Sequence, residues 1–167
     1  LAHDISLLAY HLPLDVHPEL GNNAQLAELL GFEVTGPMDP DAKPSVGLVG
    51  RLKQTMSYGE FQQHISKVLG RECLQVGGQD QDVAVKTVAW CTGAAQNMID
   101  LAVERGVDAY VSGEISEPTV HIARETGVQY FSAGHHATER YGVKALGQHL
   151  AQKFDCEFTF VDIENPV

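Results

Sequence analysis

The chain has 167 residues, 44% of them hydrophobic, which is enough for one ordinary domain with its own apolar core or for parts of two small lobes. Eleven Lys and Arg against 22 Asp and Glu give a formal net charge of −11, the wrong sign for a surface that gathers nucleic-acid phosphates or anionic lipid. A large multidomain protein, a nucleic-acid partner and a membrane partner are therefore poor first readings.

No apolar run approaches the ~18 residues of a spanning helix, and the opening LAHDISLLAYHLPLD lacks the basic flank and small-residue cleavage pattern of a signal peptide. The sequence reads as soluble and cytoplasmic. Cys73, Cys91 and Cys156 are odd in number and show no C-x-x-C spacing, so reduced thiols are expected rather than a disulfide framework or a thiolate zinc site. The first residue is Leu1, not Met, and an apolar pattern begins almost at once, as expected of a piece of a longer protein.

Residues Ile5 to His11 (ISLLAYH) form an uncharged, mostly apolar run bounded by Pro13, which predicts a buried strand and the loop leaving it. GNNAQLAELLG then offers capping amides, Leu26, Leu29 and Leu30 at helical spacing, and Gly31 as a stop, predicting a short helix. Thr35 to Ser45 holds three prolines and resists regular structure, which marks a lobe boundary. GLVGRLKQTM alternates like an edge strand, and Ser57 with Glu60 fits a capping box opening FQQHISKVLG. The remainder is rhythmic: strand VAVKTVAWC, helix AAQNMIDLAVERG, strand DAYVS, helix EPTVHIARETG, strand VQYFSA, helix ATERYGVKALGQHLAQKF and strand EFTFVDI. Such alternation predicts βαβ units and an α/β sheet covered on both faces.

Ligands of open α/β sheets bind beyond the carboxyl ends of the strands. The residues at those places here are polar: Asp15 after the first expected strand, Thr92-Gly93, Gly113-Glu114 and Gly134-His135-His136. His135 and Glu139 are four apart at the opening of the last helix, about 40° apart around its axis, and can grip one ion. An imidazole with a carboxylate suits Zn, Fe or Mn. The competing reading is a polar helix start in which Glu139 pairs with Arg140 or Lys144. Asp15 can equally be a turn residue after Pro13, and Glu114 a helix cap. His136 points a quarter-turn away from His135, either behind it or into solvent. No Walker A loop, G-x-G-x-x-G or G-x-S-x-G is present.

Three segments together, YHLPLDVHPELGNNAQLAELLG, VAWCTGAAQNMIDLAVERGVDAYVSGEISEPTVHIARETG and AGHHATERYGVKAL, closely resemble the GTP cyclohydrolase 1 type 2 homologue family, the Nif-three-like dinuclear-metal proteins, and in it the YbgI-like bacterial members. The similarity runs from about His11 to Pro166. It implies two similar lobes with mixed sheets flanked by helices, two divalent metal ions per subunit between them, and a toroidal homohexamer. Carried over by motif, Asp15, His135 and Glu139 are metal ligands, with Glu114 a proton-transfer residue and His136 a second candidate for that role. The family's remaining ligands are two adjacent histidines in a V-H-H-G-type motif upstream of H-L-P-L-D, and the ten residues before His11 hold no double His. The resemblance therefore implies a chain whose residues 1–36 are a remnant of the N-terminal lobe and whose residues 37–167 form the C-terminal lobe. It implies a half site, able to give one metal three protein ligands but not two metals about 3.5–4 Å apart. The function expected is a metal-dependent hydrolase acting on a nucleotide-like small molecule. The alternative is a non-catalytic metal-binding oligomer that serves as scaffold or partner-binding protein.

Overall fold

The computed structural model of the chain describes residues 2–78 and 80–167. After a single helical turn, α1 (Leu12–Asp15), comes α2 (Asn22–Leu30), which stops at Gly31 in the left-handed conformation. Then follow β1 (Phe32–Pro37), β2 (Leu48–Ser57), α3 (Tyr58–Leu69), β3 (Leu74–Val76) and β4 (Ala84–Cys91). A short 3-10 turn leads into α4 (Ile99–Glu104), and β5 (Ala109–Ser112), α5 (Glu117–Thr126), β6 (Gln129–Ser132) and α6 (His135–Phe154) complete the order. The Ser57/Glu60 capping box is present in full at the start of α3.

The strands form one mixed sheet in the order β1-β2-β4-β5-β6-β3. The two βαβ units make β4, β5 and β6 parallel, and β1, β2 and β3 join antiparallel. Side chains of a strand alternate between faces, and β4 shows how this builds two cores. Val88 and Trp90 pack with Leu26, Phe61 and Phe131 on the face covered by α2, α3 and α6. Ala89 and Cys91 pack with Tyr110, Tyr130 and Ile99 on the other face, under α4 and α5. The expected mixed sheet flanked by helices is thus observed.

Three expectations are corrected. Residues Ile5 to His11 form no strand: Leu7 is 91% exposed, because no strand lies beside this run to pair its backbone. The run EFTFVDI is likewise unpaired, although its alternation survives, with Phe158 and Phe160 half-buried and Val161 exposed. The strand at GLVGRLKQTM is interior, because FEVTGP supplies a further strand, β1, outside it. Pro37 is tolerated there, since an edge strand can do without one N–H, and the register shift between Val34 and Gly36 is a bulge. The expected boundary at 36/37 falls within β1, whose pairing with β2 continues through Pro37↔Leu48. Among the described residues, no helix is long and apolar enough to cross a membrane.

Candidate metal centre

The three parallel strands end side by side, and each has a glycine one or two residues beyond its end. The Gly113 N–H donates to the Gly93 carbonyl and the Gly134 N–H to the Gly113 carbonyl, both at 2.9 Å, extending the sheet by one rung beyond β4, β5 and β6. The Thr138 hydroxyl of α6 accepts from the Gly93 N–H at 3.1 Å and itself lies 2.9 Å from the Gly134 carbonyl, clamping the helix start onto this rung. Glu114 and His135 leave the rung from adjacent strands and meet above it.

His135 is held at both ring nitrogens. Its Nδ1 lies 2.6 Å from Glu114 Oε1 and its Nε2 3.1 Å from Glu139 Oε2. The expected pairing of Glu139 with Arg140 or Lys144 is not what forms; Arg140 instead reaches Asp162 and the Leu69 carbonyl. Close packing here depends on Gly93. Its φ of +69° is in the left-handed region, and a Cβ on it would lie 2.1 Å from Glu139 Oε1 and 3.1 Å from His135 Nε2. The Glu114 carbonyl is anchored in turn by the Tyr130 hydroxyl.

Burial works against the charged imidazolium, but its hydrogen bond to Glu114 and the charge of Glu139 outweigh it, and the His135 pKa is raised. Burial pushes the Glu139 carboxyl above its ordinary range, His135 pulls it back, and the Asp15 charge pushes it up again. An isolated ion pair would lower its carboxylate. Here several carboxylates crowd one imidazole, so the cluster carries more negative charge than its own cation balances.

Asp15 is buried, 6% exposed, at the end of α1. Its Oδ1 accepts from Asn22 Nδ2 at 2.8 Å, and its charge is felt at both Glu139 and Cys91. His136 faces elsewhere: its Nε2 lies 3.3 Å from Asp162 Oδ1 in the C-terminal tail. A cavity of about 470 Å³ is bounded by His135, His136 and Glu139 on one side and by Phe160, Val161 and Val167 of that tail on the other. Glu114, His135 and Glu139 are therefore brought together, Asp15 is within electrostatic reach of them, and His136 lines the cavity while bonded to the tail.

Asn22 and Asn23 were expected to cap α2. Neither side chain does so, and the N-cap is Gly21. Asn23 instead donates to the Val46 carbonyl at 2.9 Å and accepts the Thr92 N–H at 3.1 Å, while its carbonyl receives the Trp90 indole N–H. Both amides are buried, and an uninterrupted pair of amides before an apolar helix was the only local signal of this. Thr138 went unread, since its partner Gly93 lies 45 residues away in the chain.

The donor set fits one divalent ion in part. A carboxylate on Nδ1 fixes the imidazole tautomer and leaves Nε2 as a basic ligand, the arrangement that commonly orients a metal-binding histidine. The Glu139 carboxylate lies beside that nitrogen, and the surplus negative charge asks for a cation. Among the described residues, no three His, Cys, Asp or Glu side chains are grouped tightly enough to close a metal shell, so His135 and Glu139 alone are in place as a ligand pair, and a third ligand such as Asp15 must move in to complete a shell for one ion.

Over residues 1–166 the chain matches the family Duf34/NIF3 (NGG1p interacting factor 3), and it belongs to that family. It is 55% identical over 166 residues to the GTP cyclohydrolase 1 type 2 homolog of Pseudomonas aeruginosa, a match covering 99% of this chain and 65% of the relative. The Vibrio cholerae protein of the same name is 50% identical over 167 residues, covering 100% of this chain and 66% of the relative. Among solved structures, the protein ybgI, of unknown function, superposes with a TM-score of 0.93 at 47% identity over 100% of this chain and 65% of that one. The chain thus spans about 65% of the length of the relatives it matches.

Proposed function

We propose that this chain carries part of a divalent-metal site, in which His135 Nε2 and the Glu139 carboxylate are ligands, Asp15 is the third, and Glu114 orients the imidazole. The observation that carries this reading is the two-sided grip on His135, 2.6 Å from Glu114 and 3.1 Å from Glu139. Bound there, a divalent cation would supply Lewis-acid polarisation of a substrate oxygen. The chain's own groups prepare for it: Glu114 holds the tautomer, Gly93 leaves room, and the tail residues Phe160 and Val161 narrow access from solvent. Glu114 accepts the Nδ1 proton in this arrangement, and any proton transfer by it would pass through His135. His136 would take part only after release from Asp162.

The relatives' name supports, for the whole protein, hydrolysis of a nucleotide-like small molecule, and the metal site proposed above would make it metal-dependent. The exposed apolar run through Ile5, Leu7, Leu8 and Tyr10 supports self-association, a homohexamer being the assembly implied by resemblance. Calorimetric titration of the metal-stripped protein with Mn²⁺ and Zn²⁺ tests the metal reading. Wild type should bind, His135→Ala and Glu139→Gln should bind at least about tenfold more weakly, and binding indifferent to both substitutions would overturn it.

A further inference from the structure

The geometry points to Asn22 as a positioning residue of this site, the amide that sets the Asp15 carboxylate against the metal-facing stripe of α6. This rests on the metal reading above. Asn22 is 6% exposed and each end of its amide is used. Its Nδ2 donates to Asp15 Oδ1 at 2.8 Å, and its Oδ1 accepts the Gly142 N–H at 2.9 Å, across 120 residues of chain.

The place where it meets α6 matters. His135, Glu139 and Gly142 are i, i+4 and i+7, one stripe of the helix. An N–H inside a helix is normally taken by the carbonyl four residues back, so one that also meets a side-chain oxygen must be approached very closely. Gly142 allows this: a Cβ there would lie 2.3 Å from Asn22 Oδ1. One rigid planar amide thus spans from the carboxylate on α1 to the helix that bears His135 and Glu139. Asp15 has no other element holding its carboxylate among its described hydrogen bonds. A buried carboxylate with one fixed oxygen has its second oxygen directed, and here the charge of that group is felt at Glu139.

Asn23 provides the control. It is more buried than Asn22 and makes three side-chain hydrogen bonds to Asn22's two, but all three go to backbone atoms, of Asp15, Val46 and Thr92. A purely structural role predicts that both asparagines behave alike.

The test is a Co²⁺ titration of the full chain, read by calorimetry and by the visible d–d absorption, on wild type, Asp15→Ala, Asn22→Ala, Asn23→Ala and the double variant Asp15→Ala/Asn22→Ala. Asn22→Ala should weaken Co²⁺ binding about 10- to 100-fold and change the spectrum in the same sense as Asp15→Ala. Asn23→Ala should lower the melting temperature and leave binding unchanged, and the double variant should match Asp15→Ala alone. If Asn22→Ala does not fold at the assay temperature, Asn22→Asp replaces it, since a carboxylate still accepts the Gly142 N–H. Its effect should disappear when Asp15 is alanine. Binding by Asn22→Ala equal to wild type, or an equal loss with and without Asp15, overturns the positioning role while a weakened Asp15→Ala leaves the metal reading standing. Wild type that takes up no Co²⁺ overturns both.

Discussion

Gly93→Ala is the substitution whose cost can be divided most cleanly. Gly93 sits at φ +69° and Gly106 at φ +63°, so an alanine at either pays the left-handed penalty of roughly 1–2 kcal/mol. At Gly106 the added methyl meets nothing within 4 Å, whereas at Gly93 it would stand 2.1 Å from Glu139 Oε1. Ordinary contact between carbon and oxygen needs about 1 Å more, so the Glu139 carboxyl must swing away and release His135 Nε2, now at 3.1 Å. A charge-assisted bond contributes roughly 1.5–3 kcal/mol when buried. With the His135 and Glu139 side chains 38% and 30% exposed, screening reduces that to about 1 kcal/mol. Gly93→Ala should therefore cost about 2–3 kcal/mol and Gly106→Ala about 1–2. At about 2–4 °C per kcal/mol for a chain of this size, calorimetric melting should place Gly93→Ala some 2–4 °C below Gly106→Ala. Mn²⁺ affinity should fall in the first variant and not in the second. Equal melting temperatures together with equal metal binding would refute the claim that Gly93 makes room for the Glu139–His135 contact.

Other expectations follow from single features. Burial pushes the thiols of Cys73 and Cys91 up to about 12, the charges of Asp15 and Glu139 adding to the effect at Cys91, while Cys156 is exposed. Iodoacetamide at pH 8 should therefore label one thiol of the native chain, counted by mass, and three after denaturation; early labelling of Cys91 would mean that its strand end is open to solvent. Ser57→Ala removes an intact capping box and should cost about 1 kcal/mol in urea unfolding, and no change in midpoint would contradict the cap. Hydrogen bonds from Ser57 lower the Glu60 pKa, and the Arg51 hydrogen bond and charge lower that of Glu33. Groups with depressed folded values add stability that is complete above the unfolded carboxylate range and is lost as pH falls through the folded value. Melting temperature should accordingly decline below about pH 4.5, and more shallowly in a Glu33→Gln/Glu60→Gln variant; identical acid limbs would refute it.

Much of the architecture was legible because it is written in local pattern. VAVKTVAWC, DAYVS and VQYFSA alternate apolar side chains over lengths that fit only strands, and the helices between them end in glycines that the structure places in the left-handed region at Gly127 and, before β1, at Gly31. The His135/Glu139 pair was legible for the same reason, since four residues of helix bring two side chains together whatever the rest of the chain does. Glu114 was legible as a strand-end residue, although its partner was not.

What failed was whatever needs a distant partner. ISLLAYH and EFTFVDI have strand composition, but a strand exists only where another backbone completes its hydrogen bonds, and neither run has one here. β1 was hidden by Gly36 and Pro37, residues that suit an edge and a bulge as well as a loop. Asn22 looked like a cap because cap and bridge use the same amide, and only the fold brings Gly142 to it. The position of Asp15 shows the same division: its place after H-L-P-L was readable, and its direction depends on α2 and α6.

The most direct measurement is anomalous X-ray diffraction at the metal edge from crystals grown with Zn²⁺ or Mn²⁺. The expected result is a peak about 2.0–2.2 Å from His135 Nε2, beside the Glu139 carboxylate, with Glu114 retaining Nδ1. Absence of any peak there at saturating metal, or a peak bound only by residues remote from His135, would contradict the proposed centre.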